Sequence, residues 1–103
     1  MYKLEYLPIA MQDMIEIATY ISRELCNPSA AEKQSVKLIE ACESLVQFPY
    51  ANPVYHPIKP LKREYRKILV GHYLVFYWVD EEKKHITIAR IIYAKRDYSP
   101  LLK

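Results

Sequence analysis

Hydrophobic and polar residues alternate at the start of the chain and then change to a helical period. Residues Tyr2 to Tyr6 alternate with period two, which is typical of a half-buried strand. Pro8 suits the first position of a helix, because its missing N–H would have no partner there. Apolar residues then recur every three or four positions, at Ala10, Met14, Ile17, Ile21 and Leu25. This period predicts an amphipathic helix over about residues 9–25.

A second helix is predicted over about residues 30–47. Asn27-Pro28 ends the first helix, because the residue before a proline is disfavoured in the α region. The sequence from Ser29 to Glu32 is that of a capping box, in which both side chains accept backbone N–H groups. An apolar stripe follows at Ala31, Leu38, Cys42 and Leu45. Two helices with one apolar face each predict a helical hairpin packed on a sheet.

The second half of the chain predicts three strands after an extended, proline-rich connection. The connection, residues 48–63, contains Pro49, Pro53, Pro57 and Pro60 and shows no period. Three segments rich in β-branched and aromatic residues follow, at Glu64–Val70, Tyr73–Val79 and His85–Ala94. Gly71-His72 suits a two-residue turn with the glycine at positive φ, and the second segment, apolar on both faces, suits a central strand. The order β-α-α-β-β-β predicts an α+β fold, a helical hairpin packed on a mainly antiparallel sheet.

A chain of 103 residues with 51% hydrophobic residues predicts a single domain spanning 1–103. The longest apolar run, Tyr73–Val79, is far shorter than the roughly 20 residues of a membrane-spanning helix, so we expect no membrane partner. Cys26 and Cys42 have no CxxC spacing and follow no secretory segment, which favours free thiols in a cytoplasmic protein.

The net charge of +3 is unevenly distributed along the chain. Residues 1–57 contain four Lys+Arg against seven Asp+Glu, whereas residues 58–103 contain eleven against five. Such a basic half forms either a face for a polyanion or acidic partner, or a solvated surface. Our hypothesis is that the strands of this half gather their positive side chains into one common patch.

The familiar catalytic signatures are missing from the sequence. It contains no phosphate-binding glycine loop, no HExxH and no GxSxG, and its single glycine excludes most nucleotide-binding motifs. The histidines, His56, His72 and His85, are scattered over three different predicted segments. We therefore expect no metal, no cofactor and no small-molecule substrate.

Positively charged residues on and beside the strands are the remaining candidates for chemistry, together with a neighbouring tyrosine. Strand alternation places Arg66 and Lys67 on opposite faces, so these two cannot serve one site. Arg90 lies in an apolar run, where burial requires a carboxylate or carbonyl partner; Asp97 or a helix acid can supply one, and this structural role is favoured over ligand contact. Tyr98 either transfers a proton or simply packs as an aromatic side chain. The cations are Lys62, Arg63, Arg66, Lys67, Arg90, Lys95 and Arg96, of which Lys62, Lys67 and Lys95 are equally well explained as solvating charges.

Taken together, the motifs resemble toxins of the ParE/RelE superfamily, the stable partners in bacterial type II toxin–antitoxin pairs. The resemblance covers nearly the whole chain and agrees with the predicted order of elements. It runs through Ala10-x-x-Asp13-x-x-x-Ile17-x-x-Tyr20-Ile21, Pro28-Ser29-Ala30-Ala31, Leu45-x-x-Phe48-Pro49, Glu64-Tyr65-Arg66, Tyr73-Leu74-Val75-Phe76-Tyr77, Ile88-Ala89-Arg90-Ile91 and Arg96-Asp97.

The resemblance implies one of two targets. RelE-like members cut mRNA in the ribosome, and for them it implies Lys67, Arg96 and Tyr98 as catalytic residues. Leu74 and Leu102, however, occupy positions where that branch has an arginine and a terminal tyrosine. ParE-like members poison DNA gyrase and are not enzymes, and the first helix with Asp13, Ile17 and Tyr20 is more similar to theirs.

We therefore expect a ParE-like growth inhibitor involved in plasmid stabilization, with an endoribonuclease as the alternative. A non-toxic module that only binds an antitoxin is a second alternative. The expected partners are an acidic antitoxin and either gyrase or the ribosome with mRNA. Lys62, Arg63, Arg66, Arg90 and Lys95 are the expected contacts to the target or to nucleic acid.

Overall fold

The computed structural model describes residues 1–57 and 61–102, and these form two α-helices against a four-stranded sheet. The α+β fold and the order β-α-α-β-β-β are those that the sequence predicts. A π-helical turn, Tyr20–Glu24, continues the first helix, and a 3₁₀ turn, Ser99–Leu101, follows the last strand. The elements are β1 (Lys3–Tyr6), α1 (Pro8–Thr19), α2 (Pro28–Ser44), β2 (Arg66–Val70), β3 (Tyr73–Asp80) and β4 (His85–Tyr93). The predicted domain bounds, 1–103, and the prediction for Pro60 include residues outside those described.

The strand order across the sheet is β1-β4-β3-β2, so the first strand lies beside the last. β2, β3 and β4 form the predicted antiparallel meander, while β1 runs parallel to β4. Gly71 turns the chain between β2 and β3 at a φ of 62°, a conformation that glycine adopts without steric cost. β3 is an inner strand, as its apolar residues on both faces predict.

The start of α2 differs from the predicted capping box. The N-cap is Asn27, whose side-chain oxygen accepts the N–H of Ala30 at 3.1 Å, and Pro28 is the first helical residue. Ser29 therefore lies inside the helix rather than at its cap. The capping-box prediction is wrong because the side chain of Asn27, two residues earlier, already accepts a free N–H group at the start of the helix. At α1, Pro8 is the first helical residue, as predicted.

The sheet is covered on both faces. On one face α1 and α2 bury an apolar core against the strands, including Ile17, Leu38, Val75 and Tyr77. On the other face, the connection before β2 and the C-terminal segment cover Phe76 and its neighbours, namely Leu74, Ala89 and Ile92. No helix within the described residues combines the length and apolarity needed to cross a bilayer.

Candidate functional site

A buried ion pair joins α1 to the edge of the sheet. The Arg90 Nε and Nη2 atoms donate to the two carboxylate oxygens of Asp13, at 2.8 and 3.0 Å. The side chains of Arg90 and Asp13 are only 14% and 8% exposed. Arg90 Nη1 also donates to the carbonyl of Leu101, at 3.4 Å. Donation of these hydrogen bonds to Asp13 raises the pKa of Arg90 above its ordinary value, so the guanidinium stays charged.

Asp13 also completes the sheet where β1 ends. β1 pairs with β4 as far as Tyr6 and Ile88, after which the chain leaves the sheet to begin α1. One Asp13 carboxylate oxygen then accepts the N–H of Ile91, at 2.9 Å, in place of a strand. The register shift between Phe76 and Tyr77 occurs at this level of the sheet. The helix acid predicted as a partner for Arg90 is therefore Asp13, and Asp97 is not the carboxylate that binds it.

A groove of about 630 Å³ lies between the first helix and the end of β4, with this ion pair in its lining. Its helix side carries Tyr20 and Leu25, which are 52% and 56% exposed, and its sheet side carries Tyr93, which is 43% exposed. Burial and then the neighbouring Tyr20 and Tyr93 hydroxyls raise the pKa of Tyr73, so this phenol keeps its proton at neutral pH. The remaining lining residues include Glu16, Ile17, Ile21, Gln34, His72 and Arg96.

A second group of cations lies around β2 and the segment before it. The Arg63 guanidinium stacks 4.3 Å from the centre of the Trp78 ring, and that of Arg66 lies 4.9 Å from the Tyr50 ring. Arg66 Nη1 also donates to the carbonyl of Asn52, at 2.7 Å. Contact with an aromatic face holds a guanidinium in place while leaving its N–H groups free at the edge. With Lys62 and Glu64, these residues line a polar cavity of about 300 Å³.

The sheet register separates the two groups of cations. Arg66 is opposite Tyr77, whereas Arg96 follows β4 beyond Tyr93, which is opposite Tyr73. These two levels are four positions apart on β3, a distance of roughly 13 Å along the strand. The expectation of one common patch is therefore corrected: Arg66 and Arg96 belong to opposite ends of the sheet, and Arg90 is neutralised by Asp13 between them.

Two of the three residues that a RelE-like nuclease would use, Lys67 and Tyr98, both contact the Tyr55 ring, and the third, Arg96, lines the groove beside α1. Lys67 Nζ lies 5.6 Å from the Tyr55 ring, and Tyr98 packs edge-on against that ring at 5.8 Å. These two residues lie on the face opposite the helices, whereas Arg96 lines the groove beside α1. Lys95 is exposed. The functional roles given above to Lys67, Lys95, Arg96 and Tyr98 stay predictions.

Sequence reasoning did not predict that Tyr20, Leu25, Tyr73 and Tyr93 line one groove. Leu25 belongs to the predicted apolar stripe, yet it is exposed, at the C-cap of the π-helical turn Tyr20–Glu24. Tyr73 and Tyr93 are directly opposite each other on β3 and β4. Leu25, an apolar residue two positions before Asn27-Pro28, was the one local feature of the sequence that indicated this groove. Among residues 1–57 and 61–102, no three His, Cys, Asp or Glu side chains meet as metal ligands would.

Comparison with known proteins connects this fold to one family. Residues 4–98 match the family described as the ParE toxin of the type II toxin–antitoxin system parDE. A chain from the chromosomal ParDE toxin–antitoxin system of P. aeruginosa has 20% identity and a TM-score of 0.73, with 92% of this chain and 98% of that chain covered. A chain of the Mycobacterium tuberculosis RelBE2 complex has 16% identity and a TM-score of 0.63, covering 89% and 96%.

The isolated Escherichia coli RelE toxin has the same fold at a greater distance. It has 20% identity and a TM-score of 0.55, with 98% of this chain and 95% of that chain covered. No curated protein sequence matches this chain. At such identities the structural likeness is a likeness of fold, and the family follows from the match over residues 4–98.

Proposed function

Because the chain belongs to the family of ParE toxins of type II toxin–antitoxin systems, we propose that it inhibits growth by poisoning DNA gyrase. A cognate antitoxin neutralises it in the cytoplasm until that antitoxin is degraded. Such a pair stabilises a plasmid or chromosomal segment that carries it, because cells that lose the pair lose the antitoxin first. In this function the protein acts by binding and is not an enzyme.

The observation that carries the choice of gyrase over mRNA is the covered face of the sheet. Leu74 and Leu102 occupy the positions where RelE-like toxins have an arginine and a tyrosine, and both are buried, at 8% and 5% exposure. They pack in one apolar cluster with Phe76 and Tyr98. A nuclease needs donors aimed at a reacting phosphate in an open site. An apolar cluster in that place supports a mechanism based on surface binding.

The antitoxin is expected to be acidic where it contacts the toxin. The structural relatives from M. tuberculosis and Pyrococcus horikoshii are toxins in complexes of toxin and antitoxin. Acidic groups facing Lys95, Arg96 or the Arg63 and Arg66 end of the sheet would speed association and add specificity. Apolar contacts would supply most of the affinity.

Two assays after induction distinguish the candidate targets. If the proposal is right, purified protein inhibits supercoiling of relaxed plasmid by gyrase, and induced cells show intact transcripts. Tyr98→Phe, which removes only a hydroxyl, then retains full growth arrest. A nuclease would instead cleave transcripts in translating extracts and lose roughly 100-fold in rate with Tyr98→Phe or Arg96→Ala. Unchanged growth after induction of the wild-type chain would favour the non-toxic module.

A further inference from the structure

We propose that the polar cavity beside β2, which Arg63 and Arg66 line, holds phosphates of a DNA duplex. The choice of DNA among polyanions rests on the proposed function, because gyrase supercoils DNA and therefore holds a duplex while it works. The target of the toxin then has two components, the enzyme and its bound DNA, and this cavity contacts the second.

The side chains that line the cavity carry an excess of positive charge. Lys62, Arg63 and Arg66 are opposed only by the carboxylate of Glu64. Neither Lys62 nor Arg63 has an ion-pair partner among residues 1–57 and 61–102. The Glu64 carboxylate lies 4.0 Å from the Arg66 guanidinium and its side chain is 70% exposed, so solvent weakens this pair. An incoming anion therefore has little competition from the acid of the cavity.

The guanidinium of Arg63 is held in place before any ligand arrives. It stacks 4.3 Å from the centre of the Trp78 ring. Tyr65 packs at right angles against the same ring, with ring centres 5.7 Å apart, and Tyr65 is itself buried. A cation that is already ordered loses less conformational entropy on binding, and a planar guanidinium matches two oxygens of one phosphate. Arg63 is therefore suited to a phosphate contact.

Arg66 is ordered by a different set of contacts. Its Nη1 atom donates to the carbonyl of Asn52, and the guanidinium lies over the ring of Tyr50. The Asn52 side chain donates to the buried hydroxyl group of Tyr77, at 3.3 Å, and Val54 forms a β-bridge with Arg66. The connection before β2 is thus anchored to the sheet beside the cavity. A guanidinium has several N–H donors, so the bond to Asn52 leaves others for a phosphate oxygen.

The aromatic rings of the cavity favour contact with a nucleic-acid backbone over contact with bases. Proteins that bind single strands stack the bases on exposed aromatic faces. Here a guanidinium covers one face of Trp78 and one face of Tyr50, and the Tyr50 hydroxyl donates to Glu81 at 3.1 Å. Cations instead contact the phosphates of a duplex, which carries roughly one negative charge per 1.7 Å of its axis. The cavity therefore suits a duplex better than a single strand.

An acidic protein segment is a poorer fit to the same cavity. Protein partners obtain most of their affinity from apolar side chains that enter a pocket. Among the described residues that line this cavity, Val79 is the one aliphatic side chain. The cavity therefore offers charge without an apolar wall, which is the combination that a phosphate backbone requires.

The test titrates the full chain into a fluorescein-labelled DNA duplex of 20 base pairs and follows anisotropy. Three contacts between cations and phosphates predict that binding weakens roughly 40-fold between 50 and 200 mM NaCl, a slope of about −2.7 in log K against log salt concentration. Arg63→Gln should weaken binding about tenfold at 50 mM NaCl and make the slope shallower by about 1. Arg63→Lys, which keeps the charge and loses the planar group, should keep the slope and weaken binding about threefold.

A matched variant controls for the general effect of net charge. Lys37→Gln removes one cation from an exposed position of α2 outside the cavity, and it should bind the duplex within twofold of the wild type. Far-UV circular dichroism shows whether each variant is folded. Equal weakening by Lys37→Gln and Arg63→Gln would show attraction by net charge alone and would overturn the site. The absence of binding at 50 mM NaCl would overturn it as well.

Competing ligands distinguish duplex DNA from other sources of negative charge. A single-stranded RNA of the same length should bind more weakly than the duplex, and RNA that binds as tightly or more tightly would overturn the assignment to duplex DNA. Hexaglutamate at the same concentration of charge should leave the duplex bound, and displacement would identify an acidic protein segment as the ligand. Displacement by inorganic phosphate at constant ionic strength would identify a site for a free anion, which also contradicts the proposal.

Inhibition of gyrase by the wild-type chain is measured in parallel. A chain that inhibits gyrase but binds no duplex retains the proposed function and loses the DNA site. A chain that binds the duplex in an Arg63-dependent manner without inhibiting gyrase retains the DNA site and loses the gyrase target.

Discussion

The Asp13–Arg90 pair has more deeply buried side chains than any other ion pair of the described residues. Removing one partner leaves the other charge buried without a counter-charge, which lowers the free energy of unfolding by about 3–5 kcal/mol. Asp13→Ala should therefore lower the free energy of unfolding by about 3 kcal/mol, because Ile91 also loses its hydrogen-bond acceptor. Urea unfolding followed by circular dichroism measures this. The double variant Asp13→Leu/Arg90→Met should recover at least half of the loss; a double variant as unstable as Asp13→Ala would show that charge burial is not the cause.

Glu81 is a second residue whose charge matters, although it is exposed. Its carboxylate accepts hydrogen bonds from Lys84 Nζ, at 2.7 Å, and from the hydroxyls of Tyr2 and Tyr50. The hydrogen bond from Lys84, followed by that from Tyr2, lowers the pKa of Glu81 from 4.5 to about 2. A lowered pKa in the folded state contributes stability above the ordinary value, and this contribution is lost as pH falls toward the folded value.

The stability of the wild type should therefore decline between pH 4.5 and about pH 2 more steeply than that of Glu81→Gln. Thermal unfolding at half-unit pH intervals measures the two slopes. Because the group is exposed, 1 M salt should reduce the difference between them. Parallel slopes for the two proteins in low salt would contradict the assignment.

At the scale of the elements, two residues compete as the N-cap of α2: Asn27, which is the cap in the structure, and Ser29, which the sequence predicts. Asn27→Ala should cost about 1 kcal/mol of unfolding free energy, because the N–H of Ala30 loses its acceptor. Ser29→Ala, which would be the damaging change if the capping box had formed, should cost less than about 0.5 kcal/mol. Urea unfolding of both variants decides the matter, and a larger loss for Ser29→Ala than for Asn27→Ala would reverse the assignment.

The elements were predictable from the sequence because their signals are local. Periodicity located both helices and β1, the content of β-branched and aromatic residues located the other three strands, and Gly71 marked the β2–β3 turn by its residue type. The partner of Arg90 could be limited only to a class of residue, since Asp13 lies 77 positions away and no local pattern specifies which acid the fold brings near. The groove was missed for the same reason, because Tyr20 and Tyr93 become neighbours only when α1 packs beside β4.

For the whole molecule, the separation of charge along the sheet matters more than the net charge. Eleven of the 15 Lys+Arg lie in residues 58–103, so most of the cations belong to one half of the sequence. The antiparallel register then carries Arg66 and Arg96 to opposite ends, because β2 and β4 both run against β3. Two basic ends can contact two partners independently, which a single patch could not do. In the proposed function these partners are the target and the antitoxin.

This arrangement predicts that the two ends can be inactivated separately. Arg63→Glu should weaken inhibition of gyrase supercoiling about tenfold. The change replaces a guanidinium stacked on Trp78 with a negative charge, which repels an acidic target or a target bound to DNA. The same variant should bind the antitoxin within twofold of the wild type, since Arg63 does not line the groove beside α1. Lys37→Glu, on α2, is the control for net charge in both assays. If Arg63→Glu weakened antitoxin binding as strongly as Arg96→Glu, the two ends would serve a single partner, and the division of the surface between toxin target and antitoxin would be wrong.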